Sequence, residues 1–327
     1  MKYLETNSFD PYYNLAFEEY VLNNNKDDDY LMLWQNDNTI VIGVNQNALE
    51  EINFTEVKKA NVNIARRITG GGAVYHDLGN LNFSYITDWN DGENRNYGHF
   101  LQPITEAFAE IGIKIEIKGR NDLVIDGKKI SGSAQSLVND RILHHGTLLI
   151  NSNLDIVGKM LNASPEKMQS KGVKSVRSRV TNIQNYTTKE LNIDNVKDLL
   201  LRHWFGENDV KLSKLNEKAL EEIVNMKNEK YSTWDWIYGR SPDFNFKNKK
   251  RFAGGEIETN LDICEGMIRN CIISGDFLAL KDVRDVEESL KNKKYDEKEV
   301  ERIIKSLPVK LYFGDISAEE ITSCFFM

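Results

Sequence analysis

The chain has 327 residues, with 42 Lys and Arg against 50 Asp and Glu, a formal net charge of −8, and 40% hydrophobic residues. This is the composition of a globular chain longer than one ordinary domain. Its acid excess argues against a nucleic-acid partner, because phosphate binding needs clustered Lys and Arg. No run of about 18 apolar residues predicts a membrane span. The opening MKYLETNSFDPYYN lacks the apolar core of a signal peptide. Three cysteines, Cys264, Cys271 and Cys324, do not make a disulfide framework. A cytoplasmic location with reduced thiols is the expectation.

In chain order, NLAFEEYVLN at 14–23 has helical spacing and predicts a helix capped near Asn14. LMLW (31–34) and TIVIG (39–43) flank a polar QNDN and predict a β-hairpin. A short helix at 54–60 and a strand at 62–65 lead into three glycines, Gly70, Gly71 and Gly72. AVYH and LNFSYI then read as paired strands. Residues 101–111 predict a helix with Pro103 in its first turn. From 113 to 150 the pattern is a meander of antiparallel strands, with Asp126-Gly127 as a hairpin turn. Amphipathic segments follow at 193–204, at 215–228 and around Trp234 and Trp236. GRSPDFNFKNKK combines Gly, Pro and a basic run and predicts a boundary, dividing 1–245 from 246–327. Beyond it the chain reads strand, strand, helix, helix. The sum is α+β in two parts.

The strongest local signal is Arg66-Arg67-Ile68-Thr69-Gly70-Gly71-Gly72-Ala73-Val74-Tyr75-His76-Asp77. Glycine backbone N–H groups can approach an anion closely, and paired arginines supply forked donors for phosphate or carboxylate. The plain alternative is a glycine turn between strands. The string is neither a GxxxxGK[ST] P-loop nor a GxGxxG fingerprint. A second signal joins Arg120-Asn121-Asp122-Leu123 to Lys128-Lys129-Ile130-Ser131-Gly132-Ser133-Ala134. Small residues after Lys129 leave room for a ligand, and a lysine there can stabilise charge in acyl or nucleotidyl transfer. Asp122 is a candidate Mg²⁺ ligand. The alternative is a solvated hairpin tip. His144 and His145 are adjacent on a strand and so point to opposite faces, which argues against zinc. His145 is expected to pack or hydrogen-bond behind the pocket. Finally Lys171-Gly172-Val173-Lys174-Ser175-Val176-Arg177-Ser178-Arg179-Val180-Thr181-Asn182 is a basic stretch in an acidic chain, suited to a polyanionic ligand or an acidic partner, or simply solvated.

Taken in order, RRITGGGAVYHDLGNLNFS, RNDL with KKISGSA, HHGTLLIN and KGVKSVRSRVTNI strongly resemble the lipoate–protein ligase A family. The resemblance covers about the first 240 residues, and the tail resembles the family's accessory domain. It implies a catalytic domain of the biotin/lipoate ligase type, with a mixed, largely antiparallel sheet flanked by helices. It implies ATP-dependent activation of lipoate to lipoyl-AMP, then transfer to an acceptor lysine. Arg67, Gly70, Gly71, Gly72, Ala73, Val74, Tyr75, Asn121, Asp122 and Lys129 would bind substrate and nucleotide, with Lys129 catalytic. Lys171, Gly172, Val173, Lys174, Arg177 and Arg179 would cover the adenylate. Apo lipoyl domains of 2-oxoacid dehydrogenase E2 subunits and the glycine cleavage H protein are the implied acceptors.

Three rival readings have distinct signatures. A biotin protein ligase would interleave arginines between the glycines, and RRITGGGAVYH follows the lipoate pattern instead. A thioester-forming acyltransferase needs a nucleophilic cysteine, and all three cysteines lie beyond residue 260, outside every motif. A non-catalytic binder of lipoylated proteins would show a broken motif, and none is visible.

Overall fold

The computed structural model describes residues 1–89, 96–161, 179–206, 210–239, 246–264 and 266–326. Its strands are β1 (Lys2–Leu4), β2 (Tyr30–Trp34), β3 (Thr39–Ile42), β4 (Asn63–Arg66), β5 (Val74–His76), β6 (Asn80–Asp88), β7 (Glu116–Lys118), β8 (Asp122–Ile125), β9 (Lys128–Val138), β10 (Arg141–Leu149), β11 (Phe246–Phe252), β12 (Gly255–Cys264) and β13 (Met267–Gly275). The described residues form two compact units. One comprises Met1–Ile40, Ile52–Ala65 and Val74–Ser232. The other comprises Val41–Glu51, Arg66–Ala73 and Thr233–Met327.

The first unit is built on a seven-stranded sheet of order β1-β2-β6-β10-β9-β8-β7. Its β1–β2 pairing is parallel, and β2–β6, β6–β10, β10–β9, β9–β8 and β8–β7 are antiparallel. The expected meander is present as β7 to β10, and the turn residues Asp126 and Gly127 take φ of 49° and 75°. One sheet face carries Leu31, Leu33, Leu81, Phe83 and Leu148. These pack with Leu101, Ile104 and Phe108 of helix Tyr97–Glu110 and with Val196 and Leu200 of helix Ile193–Phe205. Each such fully buried side chain contributes about 1.5–3 kcal/mol. Because strand side chains alternate, the opposite face carries Met32, Trp34, Asn80, Asn82, Ser84, His145 and Thr147, and it is this face that is polar.

Several local expectations are corrected. The first helix runs Pro11–Asn24, and its cap is Asp10, not Asn14: Asp10 accepts from the N–H groups of Tyr12 and Tyr13, with Pro11 at the first helical position. Pro103 lies inside helix Tyr97–Glu110, which starts earlier because Asn96 caps it. β2 and β3 do not form a hairpin, nor do β5 and β6 pair. β3 and β5 belong to a separate sheet of order β4-β3-β5. Short apolar runs look alike whichever sheet takes them.

The second unit contains the antiparallel sheet β11-β12-β13. Ile257, Leu261, Ile273 and Phe277 pack there with Val286, Ile304, Phe313 and Phe325 from helices Arg284–Leu290, Glu297–Ser306 and Val309–Phe313 and from the C-terminal segment. The basic run at the predicted boundary lies in strand β11. Lys249 pairs with Glu256 at 2.8 Å and Lys247 with Glu258 at 3.0 Å, and both glutamates are buried. Cross-strand neutralisation lets a cationic segment lie in a sheet. Among the described residues no helix is long and apolar enough to cross a membrane.

Candidate active site

In the first unit, Lys129 stands near the start of β9. Its N–H donates to the Arg179 carbonyl at 2.7 Å and its carbonyl accepts from Thr181 N–H at 2.9 Å, so the backbone is held from both sides. Its Nζ lies 2.7 Å from Asp122 Oδ1, with both side chains about one-third exposed. A register shift in the β8–β9 pairing at Leu123/Val124 brings Lys129 onto the face occupied by Gly132. A Cβ on Gly132 would meet Lys129 Nζ at 2.7 Å. The glycine in KISGSA therefore makes room for the ammonium group. Asn121 is fixed beside it: its side chain donates to the Ser133 carbonyl at 2.7 Å, and its own carbonyl accepts from Ser133 N–H and Oγ.

The same polar face continues across the sheet. Asp122 pairs with Gly132, the Gly132 N–H lies 3.5 Å from Thr147 Oγ1, Thr147 pairs with Asn82, and Asn82 with Trp34. Nearer the first helix, Glu18 Oε1 accepts from Ser84 Oγ at 2.5 Å and lies 2.9 Å from His145 Nδ1. Ser84 in turn accepts from Trp34 Nε1 at 2.8 Å. No local pattern in the sequence marks Glu18 as a member of this buried network. His144 points the other way, into the core, stacked on Phe100 with centroids 4.5 Å apart. Burial lowers its pKa well below the usual histidine range, so it is neutral. The two histidines thus part to opposite faces as alternation requires, and among the described residues no cluster of three His, Cys, Asp or Glu could hold a metal. Tyr75 donates from its hydroxyl to Asn38 Oδ1 at 2.9 Å, and burial, with Asp77 and Asp37 nearby, pushes its pKa up to about 12.

In the second unit, Arg67 shapes the glycine loop. Its Nε donates to Thr69 Oγ1 at 2.9 Å, and its Nη2 to the carbonyls of Gly70 at 2.6 Å and Gly72 at 2.9 Å. Gly71 has φ of +93°, and its N–H donates to the Phe277 carbonyl at 2.9 Å. Gly43, which sequence reading passed over, is required here: a Cβ on it would sit 2.1 Å from the Gly71 carbonyl oxygen. Arg66 does a different job from its neighbour. Its guanidinium is buried and donates to the carbonyls of Gly43, Val44, Gln46, Trp236 and Ile237. Replacing Arg66 with Met would leave these five acceptors short of donors. A loss of about 3–5 kcal/mol is expected, read as a fall in denaturation midpoint.

The site residues named from sequence fall into three groups. Arg67, Gly70, Gly71, Gly72 and Ala73 belong to the second unit; Val74, Tyr75, Asn121, Asp122, Lys129 and Arg179 belong to the first. Lys171, Gly172, Val173, Lys174 and Arg177 lie outside the described residues. The cysteines are all in the second unit. Cys271 and Cys324 are buried and Cys264 is exposed, and burial pushes the Cys324 thiol up to about 12, too high for a thiolate nucleophile. A triple Cys→Ser variant should keep ligation per folded molecule while losing about 1–3 kcal/mol of stability from the two buried positions. An acyl-thioester trapped on any cysteine of the unmodified chain would contradict this.

One unit thus presents a lysine–carboxylate pair on a polar sheet face, and the other an arginine-braced glycine loop. Residues 10–205 match the model of the lipoyl protein ligase A/B catalytic domain, and residues 241–325 that of the bacterial lipoate protein ligase C-terminus. The chain is 42% identical to lipoate–protein ligase 1 of Staphylococcus aureus, over 98% of each chain. It is 42% identical to lipoate-protein ligase LplJ of Bacillus subtilis, over 95% of each. The chain belongs to the lipoate–protein ligase family and is an enzyme of that kind. Among solved structures it is similar to P. falciparum LipL1 in complex with lipoate, with a TM-score of 0.82, 28% identity and 98% coverage of both chains. It is also similar to a lipoate-protein ligase A bound with ATP, at a TM-score of 0.64 and 27% identity over 73% of this chain and 98% of that one. A bipartite lipoate protein ligase from Thermoplasma acidophilum, described with its E2 lipoyl domain, gives 0.66 and 29% over 75% and 98%.

Proposed function

We propose that this enzyme condenses lipoate with ATP to give lipoyl-AMP and pyrophosphate, and then transfers the lipoyl group to a lysine of an apo lipoyl domain of an E2 subunit. The placement of Lys129 Nζ over Gly132, beside Asp122, carries the reading. A carboxylate is a poor acyl donor. Attack of its oxygen on the α-phosphorus makes a mixed anhydride and expels pyrophosphate. Negative charge gathers on the phosphoryl oxygens, and a fixed ammonium stabilises it there. The glycine loop, with Gly72, Ala73, Val74 and Tyr75 in sequence, offers backbone N–H groups to the adenylate, and Arg67 holds the loop's carbonyls so that those groups stay preorganised. Lys171, Gly172, Val173, Lys174, Arg177 and Arg179 form the covering segment in this reading, keeping water from the anhydride. The acceptor lysine, arriving as the free amine, attacks the acyl carbon, the C–O bond to phosphate breaks and AMP leaves. Mg²⁺ takes oxygen ligands and is commonly held by one or two carboxylates and substrate phosphates. Asp122 fits as a protein carboxylate of such a site, and the ion would neutralise phosphate charge.

The Thermoplasma acidophilum protein described with its E2 lipoyl domain supports that acceptor class; the glycine cleavage H protein is the second candidate. The two matched segments support reading 1–245 as catalytic and 246–327 as accessory. The deciding assay incubates the protein with ATP, Mg²⁺, lipoate and a panel of apo acceptors and weighs the products. Lipoylation of an E2 lipoyl domain that depends on ATP supports the reading. Modification of none of the acceptors, with no pyrophosphate released, would overturn it.

A further inference from the structure

On the polar face of the seven-stranded sheet, one row runs straight across five strands: Asp122, Gly132, Thr147, Asn82 and Trp34. It starts at the Lys129–Asp122 pair and ends at aromatic rings, where Trp34 meets His76 edge-on with centroids 6.3 Å apart. In between, Gly132 offers no side chain. Neighbouring strands are about 4.8 Å apart, so Asn82 on β6 lies about 10 Å along the row from Gly132 on β9. An extended eight-carbon acyl chain spans about the same distance, at roughly 1.25 Å per bond.

Asn82 is 2% exposed. Its Oδ1 accepts from Asn80 Nδ2 at 2.9 Å. Its Nδ2 has no hydrogen-bond partner among the described residues. A buried donor left this way is costly, and most such groups are satisfied in folded proteins. The natural acceptor is a ligand atom reaching this depth.

We infer that Asn82 is a specificity-determining residue that reads the far end of the acyl substrate: its amide N–H faces a dithiolane sulfur of lipoate. This rests on the ligase reading above. With the carboxylate at Lys129, the chain crosses Gly132 and Thr147 and sets its terminal ring at Asn82, against the apolar edge of Trp34. A ring sulfur is a weak acceptor. The terminal methyl of octanoate is no acceptor at all, so octanoate covers the donor without satisfying it. A site built around a hydrogen-bonding group rejects the analogue that lacks its partner.

The test uses the full chain and measures lipoate- and octanoate-dependent pyrophosphate release for wild type, Asn82→Leu and Asn82→Ala. Leu has the shape of Asn without the donor. Both variants orphan Asn80 Nδ2, so their melting temperatures should fall. The ratio of the two KM values is unaffected by lost folded enzyme. Wild type should favour lipoate, and both variants should shift that ratio toward octanoate by roughly tenfold. The same ratio follows from ligand-induced shifts in melting temperature, which need no turnover. Ratios within twofold of wild type in both variants would overturn the assignment while leaving the ligase reading intact. A wild-type protein that releases no pyrophosphate with lipoate would instead remove the ligase reading itself.

Discussion

Lys129→Ala is expected to abolish lipoate-dependent pyrophosphate release, by about 10³-fold or more, and to leave the melting temperature near that of wild type. The large effect follows from position. Nζ sits over Gly132, 2.7 Å from Asp122, on a strand whose backbone is pinned at residue 129 by Arg179 and Thr181. An ammonium preorganised where phosphoryl charge develops is worth about 3–4 kcal/mol or more in the transition state. The small stability effect follows from exposure. Both members of the ion pair are about one-third exposed, and pairs of that kind contribute little to folding, about 0–1 kcal/mol. Lys128, which is exposed, serves as the control, and Lys128→Ala should retain most activity. Near-normal pyrophosphate release by a folded Lys129→Ala protein would sink the assignment.

What sequence reveals here is what is local. The Asp126-Gly127 turn fixes the β8–β9 hairpin through its own backbone preferences, and strand alternation separates His144 from His145 with no knowledge of the fold. The KISGSA glycine is readable for the same reason, because the residue it makes room for is three positions away. The misreadings are long-range. β2 and β3 look like a hairpin by composition, but a partner strand elsewhere in the chain decides each of their sheets. Glu18 looks like any solvent-facing helix residue until Ser84 and His145 are placed against it. Arg66 and Arg67 are adjacent and chemically identical, yet one serves five carbonyls from distant segments and the other braces its own loop. That the basic run lies in strand β11 is not legible locally, because its neutralising glutamates come later in the sequence.

The three loop glycines should behave differently from one another, although they stand side by side in the sequence. Gly70→Ala places a Cβ 2.8 Å from both the Ala279 nitrogen and the Phe277 carbonyl oxygen, which are backbone atoms and cannot rotate away. Gly71→Ala forces an L residue to φ of +93° and meets Leu278 Cδ2 at 2.9 Å and Arg67 Nη2 at 3.1 Å. Each change should cost about 1–3 kcal/mol of stability, seen as a lowered denaturation midpoint. A Cβ on Gly72 would meet no atom within 4 Å, and the φ of Gly72 lies outside the left-handed region. The fold therefore gives no reason for glycine at 72, and Gly72→Val should melt within about 1 kcal/mol of wild type. If the adenylate's backbone contacts need close approach there, the same variant should still bind a non-hydrolysable lipoyl-AMP analogue at least about tenfold more weakly, because a β-branched side chain stands in the ligand's path. Tight binding by Gly72→Val would make the loop a turn and nothing more. The contacts of Gly70 and Gly71 also bear on the C-terminal segment: the carbonyl of Phe277 holds the Gly71 N–H. Deleting 246–327 would remove that acceptor, so the truncated chain should lose lipoate affinity.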